Sequence, residues 1–415
     1  MDSKVYARRR EKVSEYIEVG SIVVLFAGDL IKRSADASYP FSVNRNFHYL
    51  TGLDEDSLIL VLANTNQGKR EWLFIKDYNP TTEKWVGKSM YKDEAAAISG
   101  ISTIFSISQF DSFFSKNLMR MGITSLFIDG ERDDFKSRIM EGEQFGHKCK
   151  QHYPALTILN IYPHICAMRT IKNSQEVDEV RKAIDITQKG IERMMKEMKP
   201  GMAEYEIVAH FDYELAKANA GYAFDTIAAS GPEATTLHYV KNTRTVLDHE
   251  MVLFDLGASY NLYSADISRT IPVNGKFTTR QKVFYEIVLK AQLAVIEAIK
   301  PGVTFVSLND IVKEVYAIEC VKAKIISKPE EVDDVYYHSV SHLLGLDTHD
   351  VGQLEAMVLK PGNIITVEPG LYSSKEGIGI RIEDDVLVTE NGYEVLSPNI
   401  LKSVAEIEAF MKPSK

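Results

Sequence analysis

Short apolar runs alternate with helix-spaced segments from Met1 to about Thr170. Ser21–Phe26, Ser57–Leu62, Glu71–Ile75 and Ile123–Ile128 are rich in Ile, Val, Leu or Phe and read as strands, and Lys92–Ile98 between them has a helical pattern. Such alternation predicts an α/β domain, a sheet covered by helices. The segment MRTIKNS (Met168–Ser174) then reads as a boundary, placing domains at 1–170 and 171–415. Asn173, with Glu176 three positions on, forms a capping box. The helix that follows carries Val177, Val180, Ile184, Thr187, Ile191, Met194 and Met198 at helical spacing and stops at Pro200-Gly201.

Beyond that helix the pattern repeats. Lys199-Pro200-Gly201 precedes the helical stretch EYEIVAHFDYELAKA, and Lys300-Pro301-Gly302 precedes VSLNDIVKEVYAIEC. The first copy continues with His238, then FDLG with Asp255, then Asp266. The second continues with His338, His342 and His349, then VEPG with Glu368, then Glu383. A shared KPG alone would be chance, since it is a common helix stop; the ordered acids behind it indicate a duplicated αβ unit. Met251–Leu256 and Asn261–Val273 read as paired strands carrying Asp255 and Asp266, Ile364–Glu368 as a strand ending in an acid, and Ile378–Val388 as one alternating strand. The expected fold class is therefore α/β (α+β), with the duplicated unit second.

Composition narrows the classes. At 415 residues, two or three domains are expected on a prior of about 150 residues each, and 45% apolar with 26% charged residues excludes a disordered or collagen-like chain. The net charge of −10 has no basic stripe behind it. The dense run Arg8–Arg10 reads as a solvated helix face, so no nucleic-acid partner is expected. No apolar run approaches the ~18 residues of a membrane span, and no signal-peptide core opens the chain. Cys149, Cys166 and Cys320 form no CxxC pair and fit a reducing compartment, so a cytoplasmic address is expected.

The chemistry lies with the acids. Any one carboxylate at a strand end reads as a surface group, but Asp255, Asp266, Glu368 and Glu383 stand in apolar strands in both copies, where desolvation must be compensated. Two divalent ions balance their four charges, with His342 completing the ligand set; oxygen-rich ligation with one imidazole favours Mn(II), with Co(II), Fe(II) or Zn(II) as alternatives. Such a pair can activate water for hydrolysis. His338 and His349, with His238 from the other copy, can donate to a substrate carbonyl or relay a proton. Arg381 reads either as an ion-pair partner of Glu383 or Asp384 or as a group that orients Glu383. Gly87-Lys88-Ser89 lacks the earlier glycine of a P-loop, and neither G-x-S-x-G nor H-E-x-x-H occurs.

TLHY at His238, FDLGASYNLYSADISRT, HSVSHLLGLDTHD, EPGLY and GIGIRIEDD together resemble the pita-bread metallopeptidases, specifically the Xaa-Pro aminopeptidase (aminopeptidase P) branch, across roughly Asn173 to Ser397. All five metal-ligand positions are filled, unlike the ligand-poor members. NRNFHYLTGLDEDSLILVL from Asn44 resembles the amino-terminal domain of aminopeptidase P and prolidase, and EKWVGK at Trp85 resembles a segment that can reach a neighbouring subunit's site. The resemblance implies an N-terminal α/β domain, a C-terminal pita-bread catalytic domain, and metal-dependent hydrolysis between a first residue and a trans proline. Attack would come from an activated water, with Glu368 as proton acceptor, His238 and His349 stabilising the intermediate or passing a proton, and His338 lining the proline pocket. It also implies a proline-containing peptide substrate and a homodimer or homotetramer. The alternatives are an Xaa-Pro dipeptidase (prolidase) and a non-catalytic peptide-binding pita-bread protein. The loop between EPGLY and GIGIRIE is shorter than in many aminopeptidase P sequences, which bears on substrate length.

Overall fold

The computed structural model describes residues 1–132, 136–352 and 357–412. It divides into two compact units, Met1–Arg169 and Thr170–Lys415.

The first unit is built on a six-stranded sheet whose spatial order is Ile104–Ser106, Gly68–Ile75, Ile59–Thr65, Ser21–Phe26, Ser125–Ile128 and Thr157–Asn160. Ser21–Phe26 occupies its predicted span and pairs antiparallel with Ile59–Thr65 and parallel with Ser125–Ile128. Ile22, Val24, Val61 and Phe74 pack with Phe110, Phe114 and Leu118 from the helix Phe110–Arg120. Phe74 and Phe110 meet edge-on at 5.2 Å. The predicted helix at Lys92–Ile98 is present as Lys92–Ser99.

The Arg8–Arg10 run corrects the expectation of a solvated face. Arg9 and Arg10 on the helix Ser3–Tyr16 are buried. Arg10 Nε donates to Glu71 at 2.8 Å and Nη1 to the carbonyls of Leu50 and Ser99. Arg9 Nη1 reaches the Tyr49 carbonyl, and its guanidinium lies 3.8 Å from the Tyr49 ring centroid. A planar guanidinium satisfied on several sides can be buried where an unpaired charge cannot.

In the second unit the duplication is visible in hydrogen bonds. The helix Ser174–Glu197 starts on Asn173, whose side chain accepts from Gln175 and Glu176 amides. Past it, Gly201 N–H donates to the Val246 carbonyl and an isolated bridge joins Ala203 to Thr245. In the second copy, Gly302 donates to the Leu359 carbonyl and Thr304 bridges Val358. Both glycines take φ above +90°, a backbone that a side chain disfavours. The helices Glu204–Ala218 and Phe305–Lys322 follow in equivalent places. One three-stranded sheet orders Ile227–Ser230, Met251–Leu256 and Ile267–Pro272; another orders Ile364–Val367, Asp384–Val388 and Tyr393–Val395.

Two predicted strands are each divided. The stretch Asn261–Val273 breaks at Ala265-Asp266, and Ile378–Val388 breaks at Ile382-Glu383 into Ile378–Arg381, paired with Gly370–Ser373, and Asp384–Val388. At each break the backbone bonds across to the other copy. Glu383 N–H donates to the Ser268 carbonyl at 3.0 Å, and Asp266 N–H to Asp385 Oδ2 at 3.2 Å. The two acids that leave their ladders are thereby turned towards each other.

Candidate metal centre

Asp255 lies near the end of Met251–Leu256, in register with Ile227 on one side and Ser268 on the other. Glu368 follows directly on Ile364–Val367, and its amide donates to the Val340 carbonyl. His342 is held by its amide on Thr366 Oγ1 and by ring Nδ1 on the Leu343 carbonyl at 3.0 Å. A carbonyl only accepts, so Nδ1 carries the proton and the lone pair belongs to Nε2. That Nε2 faces Asp266 Oδ2 at 3.3 Å and Glu368 Oε1 at 3.4 Å. Three acceptor atoms at such separations require a proton or a cation among them.

A cation fits the donor set. Asp266, His342 and Glu383 offer one ligand atom each within 4.8 Å of one another. Burial pushes the Asp266 and Glu383 carboxyls well above the usual carboxylate range, and the neighbouring acids push further: Asp255 and Glu368 on Asp266, Asp266 and Glu368 on Glu383. Burial likewise raises Glu368. Asp255 Oδ1 is buried with no hydrogen-bond partner among the described residues. Carboxylates so placed are costly until a divalent ion neutralises them.

The surrounding groups define the rest of the site. A cavity of about 640 Å³ is bounded by these acids and by His238, His338 and His349. Arg381 does not pair with Glu383 or Asp384. Its Nη2 donates to Asp255 Oδ2 at 2.5 Å, and Nε donates to Ser268 Oγ, which donates to Glu383 Oε2 at 2.9 Å. Asp384 is taken instead by Arg269 and Lys402. Arg381 thus orients Asp255 directly and Glu383 through one hydroxyl.

Tyr372 was present in the EPGLY motif but carries a role that spacing did not reveal. Arg381 Nη1 donates to its hydroxyl oxygen at 3.0 Å, so the phenolic proton is directed to His338 Nε2 at 2.9 Å. His338 Nδ1 meanwhile donates to the Ser339 carbonyl. Both ring nitrogens are therefore engaged in the neutral tautomer, and burial, with Arg381 nearby, lowers its pKa to about 4. His349 is differently placed: open to the cavity, its ring 4.4 Å from that of His342, and lowered in pKa by partial desolvation among its neighbours and by His342 and His238. His238 lies in an exposed turn on the cavity wall.

The match to the family model described as metallopeptidase family M24 runs over residues 178–390, the whole of this carboxylate and histidine frame. The chain belongs to metallopeptidase family M24. A second match, to the aminopeptidase P N-terminal domain, covers residues 6–124. Among M24 relatives, the Xaa-Pro aminopeptidase of Escherichia coli K12 is 33% identical over 98% of this chain and 97% of its own length. A Bacillus anthracis structure provisionally assigned as an aminopeptidase P superposes with a TM-score of 0.97 at 44% identity, covering 99% of each chain. The E. coli aminopeptidase P complexed with the inhibitor Pro-Leu gives 0.89 at 30% identity, over 99% of this chain and 98% of that one. The N-terminal α/β domain and pita-bread catalytic domain inferred from the motifs are those of this M24 architecture. No helix among the described residues is long and apolar enough to cross a membrane.

Proposed function

We propose that this M24 metallopeptidase is an Xaa-Pro aminopeptidase, removing a first residue from peptides whose second residue is proline. The observation that carries this reading is the turning of acids from both copies onto the His342 Nε2 lone pair, within a chain that matches aminopeptidase P relatives end to end. Asp255, Asp266, His342, Glu368 and Glu383 would hold two divalent ions, Mn(II) by preference for an oxygen-rich set, with Co(II), Fe(II) or Zn(II) as substitutes. Ions so bound supply Lewis acidity and a water of lowered pKa.

The protein's own residues do the rest. Proline's nitrogen offers no N–H, so the bond to be cut must be recognised through its carbonyl and ring. Glu368, whose carboxylate borders the cavity beside His342, would accept a proton from the attacking water and return it. His238 and His349, exposed on the cavity, are placed to donate to the developing oxyanion or to the leaving proline nitrogen. His338, with its lone pair committed to Tyr372, is a fixed wall for the proline ring rather than an acid. Asp255 and Glu383 keep their orientation through Arg381 and Ser268.

The oligomer belongs to the same reading. Trp85 is 85% exposed and Val86 77% exposed, on a helix, Pro80–Val86, with no buried residue. A partner subunit in a homodimer or homotetramer would cover that surface. A cytoplasmic address rests on three buried free thiols.

A metal analysis paired with a peptide panel tests the proposal. Mn(II)-loaded protein is expected to cleave Xaa-Pro-Xaa peptides faster than Xaa-Pro dipeptides. Turnover confined to dipeptides makes it a prolidase, and a protein that binds no divalent ion and cleaves neither is a binding protein.

A further inference from the structure

The carboxylates around the cavity have employers, with one exception. Asp255, Asp266, Glu368 and Glu383 form the metal centre, and Asp350 is closed off by a buried ion pair with Lys172 at 2.8 Å. Asp225 also borders the cavity, is exposed, and makes no hydrogen bond or ion pair among the described residues.

Its position follows from the backbone. Ile227 is in register with Asp255, and Ala223 N–H donates to the Gly257 carbonyl at 2.9 Å. The segment between them therefore runs alongside the strand end that carries Asp255. Asp225 lies just before the strand Ile227–Ser230 and, like Ile227, borders the cavity. Thr348 Oγ1 donates to the Ala223 carbonyl at 3.3 Å, tying this segment to the His349 side. His338, by contrast, is tied to Tyr372. The same cavity has an apolar part, to which Phe224, Ile227, Leu237 and Val240 contribute.

An apolar part and one unpartnered carboxylate in the same cavity are the complement of a long aliphatic side chain with a cationic head. Lys and Arg bury such a stem while keeping the charge in water. The only arginine on the cavity, Arg381, is committed to Asp255, so no fixed cation cancels the field of Asp225 among the described residues.

We propose that Asp225 is a specificity-determining residue that favours peptides beginning with lysine or arginine. The inference rests on the Xaa-Pro aminopeptidase reading and names the substrate class within it. A carboxylate open to water gives a moderate preference: about fivefold in kcat/KM, the scale of one exposed ion pair.

The test compares two peptides identical but for the first residue, Lys-Pro-Pro-Leu and norleucine-Pro-Pro-Leu, so that stem length is held and only the charge changes. With Mn(II)-loaded wild type the lysine peptide is expected to be preferred about fivefold, mostly through KM, with the preference shrinking as salt is added. In Asp225→Asn the ratio should fall to about one, and in Asp225→Lys it should invert. A wild-type ratio of one, or a ratio that survives Asp225→Asn, overturns the role of Asp225 while leaving the aminopeptidase reading intact. Failure of the wild type to cleave either peptide overturns both.

Discussion

The two units treat buried carboxylates in opposite ways. In the first, Asp129 is buried against donors: Asn44 Nδ2 at 3.1 Å and Asn46 Nδ2 at 3.2 Å. Asn46 Oδ1 in turn accepts from Arg169 Nη1 at 2.9 Å. The half-buried Glu71 is likewise paired, with the buried Arg10. In the second unit, Asp266, Glu368 and Glu383 face one another and an imidazole lone pair. Burial raises the carboxyl of Asp129 as it does those of Asp266 and Glu383, but only the latter two are raised further by other acids. The first arrangement is complete as folded. The second is complete only with cations, and this difference separates a structural network from a catalytic one.

The largest effect should come from removing one acid of the second arrangement. Asp266→Asn deletes a metal ligand and is expected to lower kcat/KM about a thousandfold, as loss of a transition-state electrostatic group does. The same change relieves the repulsion that raises Asp266, so the metal-free variant should melt at a higher temperature than metal-free wild type. With excess Mn(II) the order should reverse, because only wild type gains the full stabilisation of binding. Calorimetry with and without chelator reads both. A metal-free variant that melts lower than wild type would place Asp266 among satisfied carboxylates like Asp129.

Much of this centre was legible in the chain. The acids and histidines followed from their order in two KPG-led copies, and Met251–Leu256 has the predicted span because a continuous apolar run has few other solutions. The breaks at Asp266 and Glu383 were not legible. Alternation continues through both, and only hydrogen bonds from the other copy, to the Ser268 carbonyl and the Asp385 carboxylate, take these residues out of their ladders. Arg10, and the ion-pair alternative for Arg381 though not its role in orienting Glu383, failed for a related reason. A charged residue's local spacing says which face it shares; its partners, Glu71 and Asp255, come from elsewhere in the fold. Tyr372 lay within a motif that was read, yet its link to His338 exists only in three dimensions.

Like Asp350 and Asp384, Glu204 is a carboxylate of the satisfied kind in the second unit, and it serves as a control within the same fold. It is fully buried at the start of Glu204–Ala218 and accepts from Ser230 N–H, Ser230 Oγ, Tyr239 Oη and Arg244 N–H. Those groups flank the turn bearing His238. Glu204→Gln replaces an acceptor by a donor and should cost about 2–3 kcal/mol of stability by leaving buried donors unmatched. It should lower kcat more than it raises KM, because the altered group positions His238 rather than substrate. Unlike Asp266→Asn, it should destabilise the metal-free protein too. A higher metal-free melting temperature for Glu204→Gln would erase the distinction between the two kinds of acid.

The smallest effect expected belongs to the first unit and can be seen there alone. His48 is buried with Nδ1 on the Leu53 carbonyl; burial lowers its pKa from 6.5 to about 4, with the backbone bond opposing. Between those values the unfolded chain binds a proton that the folded unit does not, so stability is full above pH 6.5 and falls as pH drops towards 4. The loss between pH 7 and pH 5 should be about 2 kcal/mol. Both tryptophans, Trp72 and Trp85, lie in this unit, and Trp72 is buried in its core. Tryptophan fluorescence during urea unfolding therefore reports this unit without the catalytic one. In His48→Gln, which keeps an amide donor for the Leu53 carbonyl but cannot titrate, the pH dependence of the fluorescence midpoint should flatten. A slope unchanged by that substitution would assign the acid sensitivity to another group and leave His48 a packing residue.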